Sequence, residues 1–191
     1  MATHPHPKFL TYEKFEALPR EHAITELLDG EYFEVSPVFR HQILVGGILT
    51  DLNIYLRSAP LGVAVVAPFD VVLSRPLARV IQPDILFISS ATIKARLTEQ
   101  RMEGMPDLAI EILSGDGRHD RKRKLPYYDE YGVPELWHVW PRKPRVEVYR
   151  HGSGGKLARI QDLGQGDRVE TPLLPGFSLA LADLYRADPL A

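Results

Sequence analysis

Cysteine is absent from all 191 residues, and that single gap removes disulfides, thiolate zinc sites, iron–sulfur clusters and cysteine nucleophiles together. Any metal this chain binds must be held by oxygen or imidazole. An excess of basic charge is missing too: 23 Lys and Arg stand against 25 Asp and Glu, a formal charge of −2. Proteins that coat nucleic acid by neutralising phosphate are strongly basic. Avid non-specific binding is therefore not expected, although a local basic patch is compatible with the count. No run approaches the ~18 apolar residues of a membrane span, and the His- and Pro-bearing start, Met1 to Leu10, lacks the apolar core of a signal peptide. The expectation is a cytoplasmic protein without a membrane partner. Neither a Gly-x-x-x-x-Gly-Lys loop nor a Gly-x-Ser-x-Gly elbow occurs, which argues against P-loop nucleotide hydrolysis and α/β-hydrolase chemistry.

What is present has an ordinary globular composition, 45% hydrophobic and 25% charged, in a length suited to one domain with a sizeable core. No repeat, low-complexity tract or composition break divides it, so residues 1–191 are expected to form one domain. Thr11 caps a short helix stopped by Pro19. Ile24 to Val35 reads as a hairpin around Asp29-Gly30. Arg40 to Arg57 carries Leu44, Ile48, Leu52 and Tyr55 at helical spacing, and Gly46-Gly47 within it allows a close backbone approach. Three β-rich runs follow: Val63 to Leu73, Val80 to Ser89 and Asp107 to Leu113, with a short helix from Ser90 to Leu97. Gly115 to Gly117 reads as a turn into a charged helix, His119 to Tyr131, that contains Pro126. Strands at Glu135 to Trp140, Arg145 to Arg150 and Leu157 to Leu163, and a short helix near Ala182 to Tyr185, complete an α/β (α+β) pattern with a mixed sheet.

Two acids stand out chemically. Asp84 lies in Val80-Ile-Gln-Pro-Asp-Ile-Leu-Phe-Ile88, and Glu111 interrupts Asp107-Leu-Ala-Ile-Glu-Ile-Leu113. A carboxylate among aliphatic residues is costly to bury without a partner or a cation, and two on neighbouring strands repel until a divalent cation relieves them. With oxygen ligands and no thiolate, Mg²⁺ or Mn²⁺ is the expected ion. The competing reading places each acid on a solvated strand face. Glu26 is a third candidate ahead of the tight turn, and Asp70 a weaker fourth, whereas Asp29 and Asp107 suit turn and strand-edge roles. Within the basic stretch Arg118 to Lys124, most members read as a solvated face. Lys124 differs, because Asp120, Lys124 and Tyr128 share one helical face that could return over the carboxylates. A lysine there could stabilise charge developing on a phosphate. His41 opens the long helix as a candidate contact, against the plainer reading of an N-terminal-turn histidine. His4 and His6 belong to the terminus, and Trp137, Trp140 and Tyr149 read as core.

Taken in order, Thr11-Tyr-Glu-Lys-Phe15, Glu26-Leu-Leu-Asp-Gly-Glu31, Arg40-His41, Ala67-Pro-Phe-Asp70, Gln82-Pro-Asp84, Asp107 to Ser114, Asp120-Arg-Lys-Arg-Lys124, Tyr128, Gly132 to Trp137, Val146 to Tyr149 and Leu173 to Gly176 give the chain its resemblance. It resembles a large bacterial family of unassigned function grouped with the restriction endonucleases of the PD-(D/E)xK superfamily. The resemblance spans about Thr11 to Leu184. It implies a restriction-endonuclease-like core, a mixed sheet flanked by helices with added β-hairpins, and a metal site where central strands diverge. It assigns the paired acids to Asp84 and Glu111 and the N-terminal acid to Glu26. Two residues after Glu111 the superfamily pattern has lysine and this chain has Leu113; the resemblance moves that role to Lys124 on the next helix. Gln82 and Tyr128 match positions that help hold the site, Gly115 stands where relatives have proline, and Trp140-Pro141 is a peripheral departure.

The implied activity is Mg²⁺-dependent hydrolysis of nucleic-acid phosphodiesters, DNA foremost, by Asp84, Glu111 and Lys124. The alternatives are a nuclease fold that has lost catalysis and serves as a nucleic-acid or protein interaction module, and a hydrolase of another phosphoester. The superfamily also implies a homodimer, because cutting both strands of a duplex needs two sites. The aromatic-rich strands from Trp137 to Tyr149 are the candidate interface.

Overall fold

The computed structural model describes residues 9–19, 24–114, 118–152 and 154–186. His4, His6, the Gly115 to Gly117 turn and the side chain of Asp120 lie outside what it describes. The chain enters through α1 (Tyr12–Glu16), where the Thr11 hydroxyl accepts the Lys14 N–H. Strands β1 (Ile24–Leu28) and β2 (Glu31–Val35) then meet through Asp29 and Gly30, both at positive φ, 51° and 82°. Two such residues in succession give the turn whose twist matches paired strands. Helix α2 (Phe39–Ser58) buries Leu44, Ile48, Leu52 and Leu56 along one stripe, with Tyr55 packed partly beside it.

The first two β-rich runs are not single strands. One divides into β3 (Gly62–Val66) and β4 (Asp70–Ser74) around the cis Ala67–Pro68 bond; the other divides into β5 (Arg79–Ile81) and β6 (Ile85–Ser89) around Gln82-Pro83-Asp84. Proline has no N–H to give a ladder, and at each break the chain leaves one sheet for another. Then come α3 (Ser90–Arg96), β7 (Arg101–Glu103), β8 (Leu108–Ile112), α4 (Arg118–Glu130), β9 (Glu135–Val139), β10 (Val146–His151), β11 (Leu157–Leu163), β12 (Arg168–Glu170), β13 (Ser178–Ala180) and α5 (Leu181–Arg186). The three-residue strands β7, β12 and β13 are too short to show a period in sequence.

These elements form a mixed α+β architecture. A five-stranded sheet runs β2-β1-β5-β4-β7, a six-stranded sheet runs β11-β10-β9-β8-β6-β3, and β12 pairs with β13. The pairs β4–β7 and β8–β9 are parallel and the others antiparallel. Strand alternation sorts the core. Ile85 and Phe87 of β6, with Leu108, Ile110 and Ile112 of β8, face α2 and α5. Leu86, Ile88 and Ala109 face the other way, against Leu28, Val71 and Ile81 of the five-stranded sheet and Tyr128 of α4. The outer face of the smaller sheet packs on α1 through Phe15, Leu27 and Val80. Helix α5 reaches α2 at Gly47, where an added Cβ would come within 2.9 Å of Leu184 Cδ1. The close approach at the glycine pair is thus made by a side chain rather than by backbone. Helix α4 runs through Pro126 and ends at Gly132, φ 70°, with the Val133 N–H returning to the Tyr128 carbonyl at 3.0 Å.

Strands β9 and β10, the expected dimer edges, lie inside the six-stranded sheet with both edges paired. Trp137 is fully buried and stacks on Phe177. Trp137 and Tyr149 are buried, whereas Trp140, expected in the core, is only partly buried beneath Arg121, Lys143 and Arg145, and no strand edge is left there to pair with a second chain. No helix among the described residues is long and apolar enough to cross a membrane.

Candidate functional site

The break at Pro83 determines where Asp84 goes. The antiparallel register of β6 and β8 pairs Ile85 with Ile110 and Leu86 with Ala109. One step further along the same register, Asp84 stands across from Glu111. Both therefore belong to the face that carries Leu86 and Ala109, between the two sheets. Asp84 Oδ2 accepts the Ile112 N–H at 2.7 Å, which ties the acid to the neighbouring strand. Glu26 arrives from β1 on the face of Leu28, opposite Phe33 in the hairpin. Helix α4 brings Lys124 and Tyr128 down on the same space, one turn apart. The acids Glu26, Asp84 and Glu111 and the cation Lys124 are each at least nine-tenths buried.

The contacts centre on the ammonium. Lys124 Nζ lies 2.8 Å from Glu26 Oε1 and 2.7 Å from Glu111 Oε1. The fully buried Tyr128 hydroxyl also donates to Glu111 Oε1. The Gln82 N–H donates to Glu26 Oε1 at 3.1 Å, and its side chain donates to Asp70 Oδ1 at 2.6 Å while accepting the Thr25 N–H at 3.0 Å. Gln82 thus pins β1 and β4 around the site and joins Asp70 to it. His41, in the first turn of α2, sets Nε2 3.0 Å from Asp84 Oδ1; its buried Nδ1 has no hydrogen-bond partner among the described residues. The plain N-terminal-turn reading of His41 gives way to contact with a central acid. Asp29 instead anchors Arg79 and Tyr127, and Asp107 accepts from Ser89 and Thr92 at the start of α3. Both fill the structural roles read for them.

Electrostatically the cluster is under-neutralised. Burial pushes the Glu111 carboxyl up, Lys124 pulls it down, and Asp84 and Glu26 push it up again, to about 8. Burial disfavours the Lys124 ammonium, but Glu111, Glu26 and Asp84 outweigh that and hold its pKa above the ordinary lysine value. Burial and Glu111 likewise keep Tyr128 protonated as a donor. Three acids around one ammonium are more than that cation can pair, and the Glu111 carboxyl accordingly holds its proton up to about pH 8.

The site forms the floor of a cleft of about 680 Å³. Its walls include β2, the segment from Ser36 to Arg40, and Arg123 and Arg142. The Arg123 guanidinium lies over the Phe33 ring, 3.8 Å from its centroid. The sequence reading passed over this pair; the signal available was an arginine next to Lys124 and an aromatic opposite Glu26.

With the geometry in place, the chain can be set beside known proteins. No curated protein matches it. Among solved structures it is similar to the crystal structure of a putative nuclease belonging to DUF820 from Anabaena variabilis, with TM-score 0.75 and 19% identity over 93% of this chain and 98% of that one. At that identity the likeness establishes a shared fold. A family model described as "Putative restriction endonuclease" matches residues 12–182, nearly the whole chain, and the chain belongs to that family, Uma2.

Proposed function

We propose that this protein is a divalent-metal-dependent nuclease that hydrolyses nucleic-acid phosphodiester bonds in the cleft above Asp84, Glu111 and Lys124. The observation that carries the reading is the gathering of three buried acids and one buried ammonium, with Glu26 and Glu111 in contact with Lys124 and Asp84 across from Glu111 in the β6–β8 register. The donor set fits Mg²⁺ or Mn²⁺: it is all oxygen and its negative charge exceeds what Lys124 neutralises. Among the described residues no group of three or more His, Asp or Glu side chains is placed to hold an ion. Mg²⁺ takes one or two carboxylates and keeps several waters. Asp84 and Glu111 would hold it, with Glu26 in support. Such an ion, when bound, supplies Lewis acidity toward phosphate and lowers the pKa of water.

The chain's own residues do the rest. Lys124, kept charged by its acids, stabilises the negative charge that builds on the phosphate oxygens. Tyr128 and Gln82 orient Glu111 and Glu26. His41 orients Asp84. The test is cleavage of single- and double-stranded DNA and RNA by the purified chain in Mg²⁺ or Mn²⁺, beside Asp84→Ala. The variant is expected to lose at least about a hundredfold in rate, and equal rates would overturn the assignment.

A second reading, a nuclease fold kept as a nucleic-acid or protein interaction module, is favoured by one observation: protein groups already pair with Glu26 and Glu111, Lys124 with both, the Gln82 N–H with Glu26 and the Tyr128 hydroxyl with Glu111. Thermal melts separate the two. A metal site gives Mn²⁺-dependent stabilisation that Asp84→Ala abolishes; an interaction module gives none.

A further inference from the structure

We infer that the cleft is built for an unpaired polynucleotide strand, with one base stacked on the Phe33–Arg123 pair while the adjoining phosphate lies at Lys124. This rests on the nuclease reading above and adds to it the substrate class. Three features carry it. The first is position: Phe33 is the cross-strand partner of Glu26, so both side chains leave the same face of the hairpin, and Arg123 precedes Lys124 on α4. The stacked pair thus adjoins the site. The second is chemistry. A guanidinium layered on an aromatic ring is a flat, polarisable surface of the kind on which unstacked bases settle. In a duplex each base already lies between its neighbours, so such a surface offers it nothing. At the mouth of the cleft Val38 and Phe39 are 67% and 52% exposed, an apolar rim suited to base faces rather than to a phosphate ribbon. The third is charge and depth. The acids sit nine-tenths buried on the floor of a cleft the size of a small-ligand pocket, which a single strand can enter. Among the described residues the cleft lining carries Arg40, Arg123, Arg142 and Lys124 beside Glu26, Glu34, Asp84 and Glu111, and the chain as a whole carries −2. That gives contacts for a few phosphates, without the extended basic surface that duplex backbones need.

The experiment is fluorescence anisotropy in EDTA, where nothing is cut, with labelled 12-nucleotide oligo(dT), oligo(rU) and a blunt DNA duplex of equal length. One or both single strands should bind at least about tenfold more tightly than the duplex, and comparison of the two shows whether the strand is DNA or RNA. Phe33→Leu keeps apolar bulk without the ring, and Phe39→Ala alters an exposed position. Phe33→Leu should weaken single-strand binding about fivefold or more and leave duplex binding unchanged. Arg123→Lys, which keeps charge but loses the plane, should fall with it. Duplex binding as tight as single-strand binding overturns the inference, and so does a folded Phe33→Leu protein with undiminished affinity. Failure of the nuclease reading looks different: strands bind through Phe33, yet Asp84→Ala cleaves as wild type does.

Discussion

Two groups of acids are buried against the six-stranded sheet, and they differ in what surrounds them. Glu147 of β10 is wholly inaccessible and meets Arg159 at 2.8 Å, Arg145 at 2.9 Å and Arg121 at 3.5 Å, with the Tyr149 hydroxyl at 3.0 Å. Glu135 of β9 meets Arg150 at 2.5 Å, the Trp137 indole N–H at 2.5 Å and the Thr171 hydroxyl at 3.0 Å. Cations outnumber or match the acids there. Arg121 also belongs to α4, so the Glu147 group fastens the helix that delivers Lys124. In the cleft the ratio reverses, with Glu26, Asp84 and Glu111 sharing Lys124 and a histidine. A buried acid closed by arginine is scaffold. One left short of positive charge is a place for a cation or a substrate to act.

The comparison breaks most visibly at Lys124. Lys124→Met strands Glu26 and Glu111 without a cation, and urea melts in EDTA should show a loss of about 3–5 kcal/mol. Millimolar Mn²⁺ should restore part of it; a loss under about 1 kcal/mol would mean that the acids do not depend on the ammonium. Next in size is pH. Burial and the neighbouring acids raise the Glu111 carboxyl in the folded chain to about 8, from the ordinary 4.5 it regains on unfolding. The folded state therefore keeps the proton longer, and the stability Glu111 contributes is greatest below about 4.5 and is lost as pH rises through about 8. Metal-free melts should lose about 1 kcal/mol per pH unit within that window, and Glu111→Gln should flatten the slope. The smallest effect belongs to the other group. In Glu147→Gln the arginines, whose side chains are 27–45% exposed, regain water, so about 1–2 kcal/mol is expected. Mn²⁺ should recover none of it, and metal rescue there would erase the distinction.

Much of this was legible from residue order. The hairpin at Asp29-Gly30, the apolar stripe of α2 and the strand around Glu111 each announce themselves by a local pattern. What failed was continuity. Val63 to Leu73 and Val80 to Ser89 look unbroken because hydrophobicity does not record which sheet a residue joins; Pro68 and Pro83 were the marks of the change. The pairing of Asp84 with Glu111 was read from two acids in apolar strands, yet Glu135 and Glu147 satisfy the same rule. Only their arginines, remote in sequence, tell the two cases apart. Lys124 was placed by helical spacing and by resemblance, and His41 by neither with any force, since its tie to Asp84 depends on how α2 docks.

Glu26 and Lys124 are 98 residues apart in the chain, and Asp84 occupies the short passage where the backbone crosses from one sheet to the other. The reacting groups consequently come together only when both layers have closed on each other. Under the proposed nuclease reading, a nascent or half-unfolded copy has no assembled centre to turn loose on a genome or transcript, and folding itself acts as the safety catch.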